Sequence, residues 1–165
     1  MEVVEMAKIN QLYYDQVQVG DDVTPLIKGP MTTSHIMRWS SAMENWHRIH
    51  YDKQFATEHD GLPTVLINGS WKQQIMCQLI KDWVGEEGWL WKISFQHRAM
   101  NIPGETLTTW GKVTSKYEID GLGFVECDIG MKNQEGIEAC PGKSTAVLPI
   151  RGGKSIPYPF IPPKA

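Results

Sequence analysis

Cysteine is scarce: Cys77, Cys127 and Cys140 are the only three, and none stands at a CxxC or Cys/His metal-site spacing. An odd number of isolated thiols makes no disulfide frame, so they read as small buried residues in a reducing compartment. No stretch approaches the ~18 consecutive apolar residues that a spanning helix needs. Residues 1–11 lack the apolar core of a signal peptide. A cytoplasmic protein without membrane attachment is the expectation. Basic residues never gather into a block and the formal charge is −3, which argues against nucleic acid as the main partner. Internal repeats are missing too.

What is there suits one globular domain. The chain has 165 residues, 41% hydrophobic and 21% charged, enough to bury a real core. Seven tryptophans are many for this length. So much large apolar surface suggests a ligand groove or a subunit interface.

Periodicity divides the chain. Residues 1–10 carry a weak pattern compatible with a short helix, and residues 23–28 read as a strand stopped by Gly29-Pro30. Thr33 or Ser34 offers an N-cap to a helix with an Ile36, Met37, Trp39, Ser40 and Met43 stripe. Asp52 or Tyr51 opens a short turn carrying Phe55 and Ala56. The clearest element is a long helix. Trp71, Ile75, Met76, Leu79, Ile80 and Trp83 form its apolar face, with Lys72, Gln73, Gln74, Gln78 and Lys81 opposite and Gly85 as its stop.

Beyond Gly88 the period becomes two. Trp91, Ile93 and Phe95 alternate with polar residues, residues 106–118 are β-rich, and Val125, Cys127, Ile129 and Met131 alternate with Phe124, Glu126 and Asp128. Ala146, Leu148 and Ile150 close a last strand. The prolines at 157, 159, 162 and 163 keep the tail out of any sheet, leaving it an arm or disordered. The expected organisation is an N-terminal segment at 1–18, one domain at 19–150 and a proline-rich tail at 151–165. The fold class is α+β: a long helix covering one face of a curved antiparallel sheet, the other face carrying tryptophans and hidden in a dimer.

The most informative string is Asn45-Trp46-His47-Arg48-Ile49-His50-Tyr51-Asp52, followed by Leu66-Ile67-Asn68-Gly69-Ser70 at the start of the long helix. A base next to a helix N-terminus with a glycine suits chemistry beside a carbonyl. The base handles a proton, and the first helix amides hold the developing oxyanion. Each residue also has a plainer use. His47 is able to cap or stack beside Trp46, Arg48 to pair with Asp52 or Glu44, Asp52 and Ser70 to cap helices, and Gly69 to serve packing alone. Lys92, Arg98 and Lys112 are more simply solvated than set against a phosphate. His35, His59 and His97 carry no spacing signal.

These motifs resemble the MaoC-like hydratase/dehydratase family of the hotdog fold. Ile49-His50-Tyr51-Asp52 and Phe55-Ala56 fit its signature. Phe95-Gln96-His97-Arg98 fits its strand, and Pro103-Gly104-Glu105-Thr106-Leu107 with Gly111-Lys112-Val113 fits its turn. The whole string from Asn45 to Asp52 is similar to the branch with type 2 hydroxyacyl-thioester dehydratases and mesaconyl-CoA hydratase-like proteins. Asn45 stands where the wider family has a catalytic Asp, and Asn68 where a second histidine is common.

The resemblance implies reversible addition of water across a 2-enoyl thioester of CoA or acyl carrier protein, with no metal or cofactor. It implies His50 as base and acid, Gly69 and Ser70 as oxyanion donors, and roles for Asn45 and His47, Asn45 orienting water without taking its proton. A homodimer, or a heteromer with another hotdog chain, is the expected assembly. Two other readings stay open: a half-active subunit, which Asn45 favours, and a thioesterase. The helix offers the thioesterase only Asp82, near its far end.

Overall fold

The computed structural model describes residues 11–163, so the helix expected at residues 1–10 lies outside the described residues. One sheet and one long helix dominate. The strands are β1 (Asp22–Val23), β2 (Ile27–Lys28), β3 (Trp89–Phe95), β4 (Leu107–Ile119), β5 (Leu122–Lys132) and β6 (Gly142–Leu148). The helices are α1 (Thr33–Ala42) and α2 (Gly69–Val84). The sheet is antiparallel, in the order β1-β4-β5-β6-β3, with β2 also beside β4. This is the hotdog arrangement, an α+β fold. Among the described residues, no helix is long and apolar enough to cross a membrane.

Burial explains α2. Ile75, Met76, Leu79, Ile80 and Val84 are sealed against Val113, Val125, Cys127, Ile129, Ala146 and Leu148 of the sheet. Each such side chain stabilises the fold by roughly 1.5–3 kcal/mol, so the helix is fixed in place. Gly85, at φ 75°, ends it in a conformation that side chains resist. Lys72 departs from expectation: instead of facing solvent on the polar side, it is 3% exposed.

Three further differences have physical causes. The strand expected at 23–28 is two short pieces, because Pro25 has no N–H for the ladder and Leu26 pairs with Thr109 instead. The α1 cap is Thr32, a residue earlier than expected: its hydroxyl accepts from the His35 amide at 3.2 Å, and His35 Nδ1 accepts from the Thr32 amide at 3.2 Å. Finally, β3 does not continue into a simple meander. It pairs with β6 at the far end of the sheet, so the connection to β4 has to cross past the start of α2.

The outer face of the sheet is also apolar. Phe124, on the face opposite Val125 and Cys127, is fully buried with Leu122 and Val147, and Tyr117 stacks on it at 5.4 Å. The tail covers this cluster. Ile156 and Phe160 pack on it, Phe160 lying 6.2 Å from Trp89 and 5.8 Å from Trp91. The prolines thus make an arm that returns to the sheet without joining its ladder. Trp71 and Trp83, on the apolar face of α2 as expected, pack on the inner core, Trp89 and Trp91 on the outer cluster, and Trp46 is exposed.

Phe160→Ala should lower stability by roughly 1–2 kcal/mol, the share of a half-buried aromatic, and the melting temperature by roughly 2–6 °C. Thermal unfolding followed by circular dichroism measures it; an unchanged melting temperature would mean the arm does not hold the sheet.

Candidate active site

The string from Asn45 to Asp52 folds as a loop and one 3-10 turn, Arg48–His50, which follow α1. Its charged members fasten the loop. Arg48 Nη2 donates to Asp52 Oδ2 at 2.6 Å, and the guanidinium lies 4.3 Å from the Phe55 ring. Asp52 Oδ1 accepts from the Phe55 amide at 2.9 Å and so caps the π-helical turn Phe55–His59. That amide first, and Arg48 second, hold the Asp52 carboxyl below its ordinary pKa, so it is an ionised cap and not an acid.

His50 is the buried member, 9% exposed. Its Nδ1 lies 2.9 Å from the Leu66 carbonyl oxygen. A carbonyl only accepts, so Nδ1 carries the proton and Nε2 keeps a free lone pair. Burial, as the largest cause, pushes the His50 pKa down; the Leu66 bond opposes this and His47 adds to it. The ring is therefore neutral at pH 7, the state a general base needs.

Leu66 lies just ahead of α2, and the start of that helix is unusual. Asn68 is an excellent N-cap residue, yet its side chain makes no cap bond. It is fully buried and donates from Nδ2 to Ser40 Oγ at 3.0 Å instead. The Trp71 and Lys72 amides bond to the Asn68 carbonyl at 3.1 Å. The first two amides, Gly69 and Ser70, find no acceptor among the described residues. Both residues are partly exposed. Ser70 uses its hydroxyl to accept from Trp39 Nε1 at 3.0 Å, and Trp39 stacks on Trp71 at 6.0 Å. Thus α1 is pinned to the helix start, and the loop from Asn45 to Asp52 emerges beside it.

Other sequence candidates fall differently. Asn45 Oδ1 accepts from the His47 amide at 3.3 Å, so its side chain turns to its own loop. His47 Nδ1 accepts from the Ile49 amide at 3.4 Å, and its ring meets His50 edge-on at 6.2 Å. Glu44 is exposed at φ 50°. Asp82 is exposed on the last turns of α2 and accepts from Gln78 at 3.0 Å. Lys112 pairs with Asp22 at 3.0 Å and Lys92 covers Trp91 at 3.8 Å.

His50 lines a cavity of about 260 Å³ with Thr33, Ser34, Met37, Tyr51, Lys53, Thr64 and Val65. Gly69 and Ser70 are not in its wall, and no carboxylate is. Among the described residues, no three His, Cys, Asp or Glu side chains converge as a metal site. Two groups escaped the sequence reading. Lys53 supplies the cavity's cation. His97 lies against Gly69: a Cβ there would come within 3.2 Å of His97 Nε2, so only glycine admits the ring without displacement. The crossing connection brings His97 there, and no local period announces that.

Known proteins were compared with the chain. The family model for hydroxyacyl-thioester dehydratase type 2 matches residues 14–104, more than half of the sequence. No curated protein matches. Among solved structures, an (R)-hydratase from A. caviae superposes with TM-score 0.71 at 18% identity, covering 81% of this chain and 98% of that one. The R-hydratase PhaJ1 from Pseudomonas aeruginosa gives 0.75 at 14% identity, with coverage of 94% and 96%. The ChsH1–ChsH2 complex from Mycobacterium tuberculosis gives 0.69 at 17% identity, with coverage of 81% and 99%. These likenesses concern the fold.

Nitrogen-15 NMR of the histidines tests the ring's state. His50 should show a protonated Nδ1 and an unprotonated Nε2 at pH 7, titrating below the ordinary 6.5. The opposite tautomer, or a midpoint above 6.5, would contradict the Leu66 anchor.

Proposed function

Because the chain belongs to the hydroxyacyl-thioester dehydratase type 2 family, we propose that it adds water reversibly across a 2-enoyl thioester carried on CoA or an acyl carrier protein. The observation that carries this reading is the Leu66 anchor. It fixes a neutral imidazole to Leu66, two residues before the Asn68 N-cap of a helix start whose side-chain cap is withheld.

In hydration, His50 Nε2 takes a proton from water while the water oxygen bonds to C3. The displaced π electrons reach the thioester oxygen as an enolate. The imidazolium then returns the proton to C2. Dehydration runs the same steps backward: Nε2 takes the C2 proton, and the imidazolium protonates the departing hydroxyl. Gly69 and Ser70 amides supply donors for the enolate oxygen, each typically worth about 3–4 kcal/mol. The two donors cost no reorganisation, since neither has an acceptor to give up among the described residues.

A second reading has its own observation. Asn45 turns to its own loop and, among the described residues, no carboxylate lines the cavity beside His50 to serve as an acidic partner for water. It then works as one half of a two-chain hydratase; one neighbouring structure is likewise a complex of two proteins. In either case the acyl group enters as a thioester, and the assembly is a homodimer or a pair of hotdog chains.

Purified chain incubated with crotonyl-CoA should lose enoyl-thioester absorbance without releasing free thiol. Activity only after a second hotdog chain is added supports the half-site reading, and thiol release contradicts both by indicating hydrolysis. His50→Ala should lower turnover by about 100-fold or more, the span of a lost general base. Asn45→Asp keeps the oxygen that accepts from His47, so turnover should hold or rise; its collapse would give the amide's donors a role.

A further inference from the structure

One buried charge is left unused by this chemistry. Lys72, on the first turns of α2 and 3% exposed, donates from Nζ to the Ala99 carbonyl at 2.9 Å and to Asn101 Oδ1 at 3.1 Å. It enters no ion pair among the described residues. The carboxylate in its network, Glu105, is reached only through Asn101, whose Nδ2 donates to Glu105 Oε2 at 2.9 Å. The Ile102 amide and Asn133 Nδ2 take up the rest of that carboxylate, each at 3.1 Å. An ammonium buried among neutral oxygens is expensive to keep, which a solvated lysine would avoid.

Its position suggests the return. A helical side chain leans toward the N-terminus of its helix. The Asn101 carbonyl, in the segment Lys72 grips, accepts from the Ile67 amide at 2.8 Å. Ile67 directly follows Leu66, the anchor of His50. The charge also reaches His97, whose ring touches Gly69: partial desolvation first, and Lys72 second, hold the His97 pKa below its ordinary value.

We propose that Lys72 is a positioning residue of the active site. By clamping the 99–101 segment to α2 it sets the path of Leu66 and Ile67, and its charge, countered by no carboxylate in contact, adds positive potential at the Gly69 and Ser70 amides. The enolate gains from that potential more than the neutral thioester does. The inference rests on the thioester reading above.

Steady-state kinetics on crotonyl-CoA test it, with thermal unfolding run on the same wild-type, Lys72→Met and Lys72→Gln proteins. Lys72→Gln keeps a donor for the Ala99 carbonyl and deletes the charge. Both variants should lose kcat by about tenfold or more while KM holds, the signature of an interaction made in the transition state. A folded variant with full kcat, or with only KM raised, overturns the inference. No turnover by the wild-type chain, alone or with a second hotdog chain, removes the thioester reading and this one with it; wild-type turnover with an equally active Lys72→Met removes this one alone.

Should neither variant fold, the wild-type pH profile decides. Burial, the largest cause, lowers the Lys72 pKa below 10.5, while Cys140 and Glu105, which face it along with His97, oppose that by raising it. Wild-type kcat should decline on the alkaline side before pH 10.5. The decline should persist in Cys140→Ser, since that thiol has a raised pKa and titrates in the alkaline range as well. A flat profile, or one that flattens in Cys140→Ser, overturns the proposal.

Discussion

The hydrogen bond from His50 Nδ1 to the Leu66 carbonyl is the join on which the site depends. It selects the tautomer, holds the ring in a buried place and ties the loop after α1 to the approach of α2. A helix beginning at Asn68 would ordinarily recover stability by capping with that side chain, worth about 1 kcal/mol. Here Ser40 takes the Asn68 side chain instead, and the amides stay free. In the proposed reading that forgone stability serves the chemistry, because unbonded donors are what an oxyanion requires.

The remainder of the fold keeps that arrangement rigid. The buried face of α2 fixes the helix against the sheet, and Trp39 holds α1 against its first turn. The connection from β3 to β4 crosses the same spot because β3 pairs at the far edge of the sheet. It delivers His97 to Gly69 and the Lys72 acceptors to the helix flank. Three segments distant in sequence therefore meet at one helix start, so the site is as firm as the core beneath it. On the opposite side, the tail seals the apolar outer face with Ile156 and Phe160.

Much of this was legible in the chain. The 3.6-residue period of Ile75, Met76, Leu79 and Ile80 and the alternation of Val125, Cys127, Ile129 and Met131 report burial directly, so α2 and the later strands were readable. His50 was singled out because its whole string resembles a family; its burial and its Leu66 anchor were not legible. Strand order was not, since local periods do not say which edge β3 joins. Lys72 and Asn68 were not either: a lysine on a polar helix face and an asparagine before a helix have ordinary surface uses. Only the crossing segment and Ser40, both remote in sequence, convert them to buried roles. The tail was expected as an arm outside the sheet, but its seat over Phe124 was not legible, because neither signals its partner.

The central claim is that one imidazole and two unbonded amides act on the same thioester. A crystal structure of the His50→Gln protein with a 3-hydroxybutyryl thioester of CoA tests it most directly. The account predicts the thioester oxygen at about 2.7–3.1 Å from the Gly69 or Ser70 amide, with C2 facing the residue-50 side chain. A thioester lying along another part of α2, with those amides turned to solvent, would contradict it.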